Sequence, residues 1–321
     1  MSRVRILFMG TPDFARQALE SLLSDEHFEV VGVVTQPDRP AGRKMQLTPS
    51  PVKSLALERG LKVYTPEKVN TPEFRAEIEA LRPESSVVVA FGQILGDAFL
   101  ALFPQKAVNV HGSLLPKWRG AAPIQRALMA GDPETGVALQ IVVKKLDAGP
   151  VLGVRKLALP IEMTAREVYP ELARLGCELL HVEYMDYLRG NLTPHEQDES
   201  QVTIAPKIDK RESAIDWSRS ALEIQNLVRG LALGPVPHAR RENGATFKVC
   251  GAVAMDSETA GAKPVGTVLR VDELGLDVQC GQGVLRLTLL QPESRAKMSV
   301  ADYVRGYSVS MGERLQNGLI Q

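Results

Sequence analysis

Cysteine is nearly absent from this 321-residue chain: there are three, Cys177, Cys250 and Cys280, far apart in the sequence. An odd number without a C-x-x-C pair argues against a disulfide framework and a cysteine zinc site, and for small buried residues in a reducing compartment. Histidine is also sparse. The five, His27, His111, His181, His195 and His238, show no metal-ligand spacing, so no metal is expected. Long apolar runs are missing. The N-terminal run in MSRVRILFMGTPDFA stops at Gly10, too short for a signal segment, and no stretch approaches a membrane-spanning length. A soluble, cytoplasmic protein with no membrane partner is expected. Neither sign of charge is in excess, with 38 basic and 38 acidic residues. That argues against a strongly basic protein that coats nucleic acid and leaves room for a local basic patch. GTPDF (10–14) has only Gly10 of the three glycines a G-x-G-x-x-G fingerprint needs, which disfavours NAD or FAD. No serine sits in a G-x-S-x-G elbow, so a covalent hydrolase fits poorly.

What is present is an ordinary globular composition, 44% hydrophobic and 24% charged, long enough for two domains. Apolar runs at 4–9, 29–35, 62–64, 86–91 and 107–111 read as strands. Helices are expected between them, including 50–60 and 73–82, the first of all entered through Thr11 as a cap and Pro12. This alternation predicts right-handed βαβ units and a mainly parallel sheet, with ligands beyond the carboxyl ends of its strands. Two β-rich runs flank Leu146-Asp147-Ala148-Gly149-Pro150. A long amphipathic helix over 164–188 is expected to break near Pro170. The polar, proline-bearing stretch 190–206 reads as a linker. Beyond it come a helix at 220–232 and short β-prone runs at 245–250, 264–271, 275–280 and 283–290, the pattern of a small β-barrel or sandwich.

The sharpest local feature is Asn109-x-His111 at the end of the fifth strand. Residues i and i+2 share one face of a strand, so an amide donor and an imidazole converge there. Such a pair can stabilise a developing oxyanion and manage a proton; a satisfied structural histidine is the plainer alternative. Asp147 could orient that imidazole, or simply cap its own turn. The stretch 36–53 is long for a loop in an α/β domain and carries Arg39, Arg43, Lys44 and Lys53, which would suit an anionic partner.

These stretches together resemble the folate-dependent formyltransferase family. The resemblance rests on GTPDFA (10–15), TQPDRPAGR (35–43), SPVK (50–53), VVVAFGQIL (87–95), NVHGSLLPKWRGAAPIQ (109–125), LDAG (146–149) and IDWS (215–218), in family order across nearly the whole chain. Asn-x-His with a downstream Asp is similar to the family at large. HGSLLPKWRGAAPIQ with QPDRPAGR and a C-terminal β domain is similar to its branch that acts on methionyl-tRNA.

The resemblance implies a Rossmann-like catalytic domain over 1–189, a linker over 190–206 and an OB-like β-barrel that binds tRNA over 207–321. It implies transfer of a formyl group from 10-formyltetrahydrofolate to the α-amino group of methionine on initiator methionyl-tRNA, without a metal, by a monomer. Asn109 and protonated His111 would bond the oxyanion, and Asp147 would hold His111 and help remove the amine proton. The folate would lie along Phe91, Gly92, Gln93, Ile94 and Leu95 and along Ser113, Leu114, Leu115 and Pro116. Arg39, Arg43 and Lys44 of the loop, and Arg229, Arg240, Arg241 and Lys248 of the second domain, would meet tRNA. Phe91 stands where Tyr is frequent, Lys144 and Lys145 precede Leu146-Asp147, and LALGPVPHA (231–239) lacks a frequent Trp. A nucleotide-linked amino sugar as acceptor, or a catalytically dead tRNA-binding module, are the alternatives.

Overall fold

The computed structural model describes residues 3–41, 46–255 and 263–318. The chain divides into two compact units. The first comprises Met1–Pro123, Thr135–Leu157 and Tyr169–Ala205; the second comprises Ile124–Glu134, Ala158–Val168 and Pro206–Gln321.

The first unit is built on a seven-stranded sheet in the order Val151–Ala158, Glu134–Ile141, Ala107–His111, Ser85–Val89, Val4–Gly10, Phe28–Val34, Val63–Tyr64. Val4–Gly10 runs parallel to both Phe28–Val34 and Ser85–Val89, and Ser85–Val89 runs parallel to Ala107–His111. Only buried side chains line Ser85–Val89, as a strand covered on both faces requires. The expected α/β class is observed. Ala107–His111 pairs antiparallel with Glu134–Ile141, which puts Gln140 directly opposite Asn109. The order reverses between Val4–Gly10 and Ser85–Val89, and a crevice beyond the carboxyl ends of these strands is the usual ligand position in such sheets. One core cluster carries an aromatic chain, Tyr64, Phe74, Phe99 and Phe103, with successive ring centroids 5.9, 6.2 and 5.6 Å apart.

Three local expectations are corrected. Thr11 does not cap the first helix, Asp13–Leu23, whose N-cap is Pro12 without a side-chain bond. The Thr11 hydroxyl instead donates to Phe91 O at 3.2 Å, tying the two strand ends at the reversal point. Pro170 does not break its helix, which runs Ala165–His181; the break comes at Val182, before Glu183–Leu188. Residues 190–205 are not a free tether but belong to the first unit, where Ile204–Ala205 pairs in parallel with Arg119–Gly120.

In the second unit, Ala221–Gly230 starts with a capping box between Ser220 and Glu223. Its buried face contributes Ile224, Leu227 and Val228 to a core with Trp217, Phe247 and Tyr303. The strands form one antiparallel sheet in the order His238–Arg240, Thr246–Met255, Val284–Pro292, Gly275–Gln279, Val268–Asp272, and Met298–Ser299 pairs with Val284–Pro292. The expected β-rich unit is there. His238–Arg240 and the helix Val300–Tyr307 were not foreseen.

Gly10 ends the first strand because nothing larger fits. A Cβ there would lie 2.6 Å from Ala15 Cβ and 2.9 Å from Val89 O. Gly10→Ala should therefore destabilise by about 1–3 kcal/mol through overpacking, read as a lower denaturant midpoint for the first unit.

Candidate active site

Asn109 and His111 share one face of their strand, and the turn after Glu134–Ile141 brings Asp147 to them. Asp147 has φ +47°, a left-handed conformation that asparagine and aspartate tolerate better than most residues. Its carboxylate accepts from three N–H groups: Asn109 Nδ2 at 3.4 Å and Gln140 Nε2 at 3.1 Å on Oδ1, and the backbone N–H of Gly120 at 2.9 Å on Oδ2. Gly120 is required there. It has φ +122°, and a Cβ would lie 2.7 Å from Ala205 O.

The imidazole of His111 is held from its far side. Its Nε2 lies 2.9 Å from the carbonyl oxygen of Trp118. A carbonyl can only accept, so Nε2 carries a proton and donates. Nδ1 is thereby left facing Asp147 Oδ1 at 3.7 Å, within ion-pair reach when protonated and longer than a hydrogen bond. The Asn109 amide and His111 Nδ1 thus converge on one oxygen, with the His111 and Asp147 side chains 7% and 12% exposed.

Around these three stand residues that sequence reasoning missed. Gln140 follows from the antiparallel register, which spacing alone does not reveal. Gln197, in the stretch read as linker, donates through Nε2 to Asp147 O at 2.9 Å and Gly149 O at 2.7 Å. Arg119 is buried and donates to Gln197 Oε1 from Nε at 3.1 Å and Nη2 at 2.9 Å. It also reaches Glu199 Oε1 at 2.8 Å, and Lys145 reaches Glu199 Oε2 at 2.6 Å. Lys144 pairs with Asp97 at 3.3 Å, so both lysines that precede Asp147 in sequence have other acidic partners.

The residues expected to line a folate fall into two groups. Phe91 and Leu95 are core side chains, and Gln93 is tied to Val69 N at 2.9 Å and Pro66 O at 3.1 Å. Ser113 is buried, with its hydroxyl on Lys117 O at 2.6 Å. Leu114 packs where a Cβ on Gly136 would lie 2.3 Å from it. Gly92, with φ +90°, and half-buried Leu115 and Pro116 offer backbone and edge surface. Ile94 is 68% exposed. Leu146 and Val143, on the segment joined to 94–97 through Lys144 and Asp97, are also exposed apolar side chains. Exposed apolar groups beside polar convergent ones suit a flat, partly apolar ligand.

The basic residues expected to meet tRNA also separate. Arg43 and Lys44 lie outside the described residues. Arg39 pairs with Glu67 at 2.9 Å on the surface. Arg229 is buried and donates to Asn226 at 2.8 Å and Pro160 O at 3.2 Å, and burial lowers its pKa from the usual guanidinium value. Arg241 is buried in a bidentate pair with Glu313, both contacts 2.7 Å, which raises its pKa. These two guanidiniums are internal and not presented to a phosphate. Arg240 is half-buried and Lys248 exposed, on neighbouring strands.

An open surface depression lies elsewhere in the first unit, lined by Ser21, Ser24, Asp25, Glu26, His27 and His181. Ser21 Oγ is 2.6 Å from His181 Nε2, and His181 Nδ1 is 2.7 Å from Asp25 Oδ2. The spacing resembles a nucleophilic triad, but Ser21 lies in the last turn of its helix, where carbonyls face the solvent end. The N–H groups of Ser24, Asp25, His27 and Phe28 are all bonded locally, so no oxyanion donor is offered by them. Burial pushes the Asp25 carboxyl up, but bonds from His27 and His181 outweigh it and hold it below the ordinary value. The cluster is a clasp between the ends of two helices. Among the described residues, no group of three or more His, Cys, Asp or Glu is placed to hold a metal, and no helix is long and apolar enough to cross a membrane.

The Formyl transferase family matches residues 2–182, and the formyl transferase C-terminal domain matches residues 207–308. The chain is 53% identical over 317 residues to methionyl-tRNA formyltransferase of Bdellovibrio bacteriovorus, covering 98% of this chain and 99% of that protein. It is 42% identical to the methionyl-tRNA formyltransferase of Methylococcus capsulatus, covering 97% and 99%. Its fold is similar to that of an N-formyltransferase from Helicobacter canadensis solved with folinic acid and dTDP-3-aminofucose, with TM-score 0.67 at 18% identity, covering 90% and 99%.

Glu199 sets a pH test of the outer anchor. Hydrogen bonds from Arg119, then Lys145, lower its pKa from 4.5 to about 2. A depressed carboxylate contributes stability that is complete above its unfolded value and lost as pH falls through the folded one. The small, salt-sensitive stability difference between the native protein and Glu199→Gln should hold from about pH 8 to about pH 5 and vanish toward pH 2, as followed by thermal unfolding.

Proposed function

The chain belongs to the methionyl-tRNA formyltransferase family, and we propose that Asn109, His111 and Asp147 carry its reaction. The activity is N-formylation of methionyl-tRNA from a folate-type formyl donor, in the service of translation. In the finer reading, the donor is 10-formyltetrahydrofolate and the acceptor is the α-amino group of methionine on initiator tRNA. The observation that carries the site assignment is the convergence of Asn109 Nδ2 and His111 Nδ1 on Asp147 Oδ1, at 3.4 and 3.7 Å.

The folate-type donor supplies the formyl carbon. As the amine lone pair forms the new C–N bond, charge moves onto the formyl oxygen. In this reading Asn109 Nδ2, which keeps a second N–H beyond the one on Asp147 Oδ1, and the Nδ1–H of His111 in its protonated form would bond that oxygen beside Asp147. Donors fixed before the charge appears need no reorganisation, which is the source of their advantage over water. Asp147 is the acceptor for the proton leaving the attacking nitrogen. The bond to the donor nitrogen then breaks, and a proton returns to that nitrogen. Ile94, Val143 and Leu146 cover the apolar part of the donor, and Gly92 lets backbone approach its edge. Arg240 and Lys248, with Arg39, are the described basic residues that meet tRNA.

The amino-sugar alternative is not favoured, because relatives matched over nearly their whole length act on methionyl-tRNA by name. A dead module would lack one of the three polar residues, and all three are present.

Asn109→Ala and His111→Ala should each lower kcat for formylation of methionyl-tRNA by about 10²–10³-fold. Asp147→Asn keeps a residue that accepts positive φ but removes the proton acceptor, and should fall at least as far. Native activity should persist with excess chelator. Activity lost to chelator, or retained in His111→Ala, overturns the assignment.

A further inference from the structure

We propose that Gln197 is a positioning residue of the formyl-transfer site, and that the segment 197–205 holds its histidine and aspartate in register. The proposal rests on the reading above and extends it to residues outside the reacting centre.

The orientation of the Gln197 amide is fixed by its partners. Arg119 has only donors, so the carbonyl oxygen of the amide must face it. Nε2 is then turned toward acceptors: Asp147 O at 2.9 Å, Gly149 O at 2.7 Å and Gln140 Oε1 at 3.2 Å. One side chain therefore clamps the backbone on both sides of Ala148. Left-handed backbone at a residue other than glycine persists where its surroundings over-determine it. For Asp147 those surroundings are the Gln197 clamp on its carbonyl and the N–H groups on its carboxylate.

The same segment reaches the histidine from the other side. Thr203 O accepts from Arg119 N at 2.9 Å, and Thr203 Oγ1 accepts from Trp118 N at 2.9 Å. Ala205 O accepts from Ala121 N at 2.9 Å. These bonds fix 118–121, whose Trp118 carbonyl holds His111 Nε2 and whose Gly120 N–H holds Asp147 Oδ2. The two groups that must act together are thus anchored to one short stretch of chain, and Arg119 ties its two ends through Gln197 and the strand pairing.

Gln197→Ala removes the clamp and leaves Arg119 its bond to Glu199. Gln197→Glu retains a partner for Arg119 but sets a carboxylate oxygen against three acceptor oxygens, so it should disturb the turn more. Neither variant changes a group that touches substrate.

The test uses the full-length protein. Native, Gln197→Ala, Gln197→Glu and Gln201→Ala proteins are compared for kcat and KM with methionyl-tRNA, and for unfolding midpoint. Gln201 lies on the same segment with its side chain on Asp198, away from Asp147. Crystal structures of the native protein and Gln197→Ala accompany the kinetics. Expected is a kcat lowered by about 10–100-fold in Gln197→Ala and further in Gln197→Glu, with KM within about twofold of native. Both Gln197 variants should also lower the unfolding midpoint, because they leave buried partners unmet, and Gln201→Ala should behave as native. Native-like kcat in both Gln197 variants overturns the proposal. So does a loss carried by KM with kcat unchanged, which marks a residue that shapes binding and leaves the reacting groups in place. If the native protein does not formylate methionyl-tRNA, the functional reading falls and the crystal structures decide the positioning alone. Asp147 retained in Gln197→Ala with φ near +47° and Oδ1 near 3.7 Å from His111 Nδ1 then overturns it; a displaced turn upholds it.

Discussion

A single carboxylate organises the buried polar cluster of the first unit. Both oxygens of Asp147 accept N–H groups that arrive from three places: a parallel strand, its antiparallel neighbour and a glycine backbone. Each arrival depends on a separate feature of the fold. Asn109 and Gln140 meet because the sheet switches from parallel to antiparallel at this edge, placing them opposite each other. The Gly120 N–H arrives because residue 120 has no side chain to strike Ala205 O. His111 then has only one way to sit, with Nε2 on a backbone carbonyl and Nδ1 toward the shared oxygen. A buried polar cluster of this kind has to be nearly complete, since each unmet donor or acceptor would cost on the order of 1–3 kcal/mol. Its completeness also makes it rigid, and rigid donors are what a developing negative charge needs.

Much of this was legible in the residues. Period-two spacing alone places Asn109 and His111 on one face, and the Leu146–Pro150 turn places Asp147 at the end of a strand. Strand alternation anticipated the parallel sheet, and the change of texture after residue 206 anticipated the β-rich second unit. What could not be read was pairing across long separations. Gln140 and Gln197 are ordinary polar residues in sequence, and only the strand register and the path of 190–205 bring them to Asp147. Thr11 was misread for a similar reason. Its local position suits a cap, but the carbonyl of Phe91, which also accepts from Gln36 Nε2, takes its hydroxyl. Polarity and prolines make 190–206 look like a tether, yet Gln197, Glu199 and Thr203 bond residues at 118–119 and 147–149.

The basic residues show the limit of reading charge from composition. Arginine offers five donors in a fixed fork, so it is drawn to carboxylates and carbonyls wherever the fold supplies them. Arg119, Arg229 and Arg241 are all buried and bonded to protein partners. Lys144 and Lys145, which sequence placed beside Asp147, pair instead with Asp97 and Glu199. The surface left for a phosphate backbone is therefore smaller than the count of cations implies. Lys248, by contrast, is exposed on its strand.

The two family matches end at residue 182 and resume at residue 207, and the stretch between them is the one that Gln197 and Ala205 belong to. A stretch lying outside both matched domains would ordinarily be treated as a connection whose length matters more than its residues. Here its hydrogen bonds run inward, to the carbonyls of Asp147 and Gly149 and to the strand that carries Arg119 and Gly120. Connecting chain with polar side chains is well suited to this task, because it can present amides and carbonyls at angles that a helix or a central strand has already committed to its own ladder. The geometry of the trio proposed to be catalytic is then a property of the whole first unit through Ala205, and not of the three residues and their strands alone.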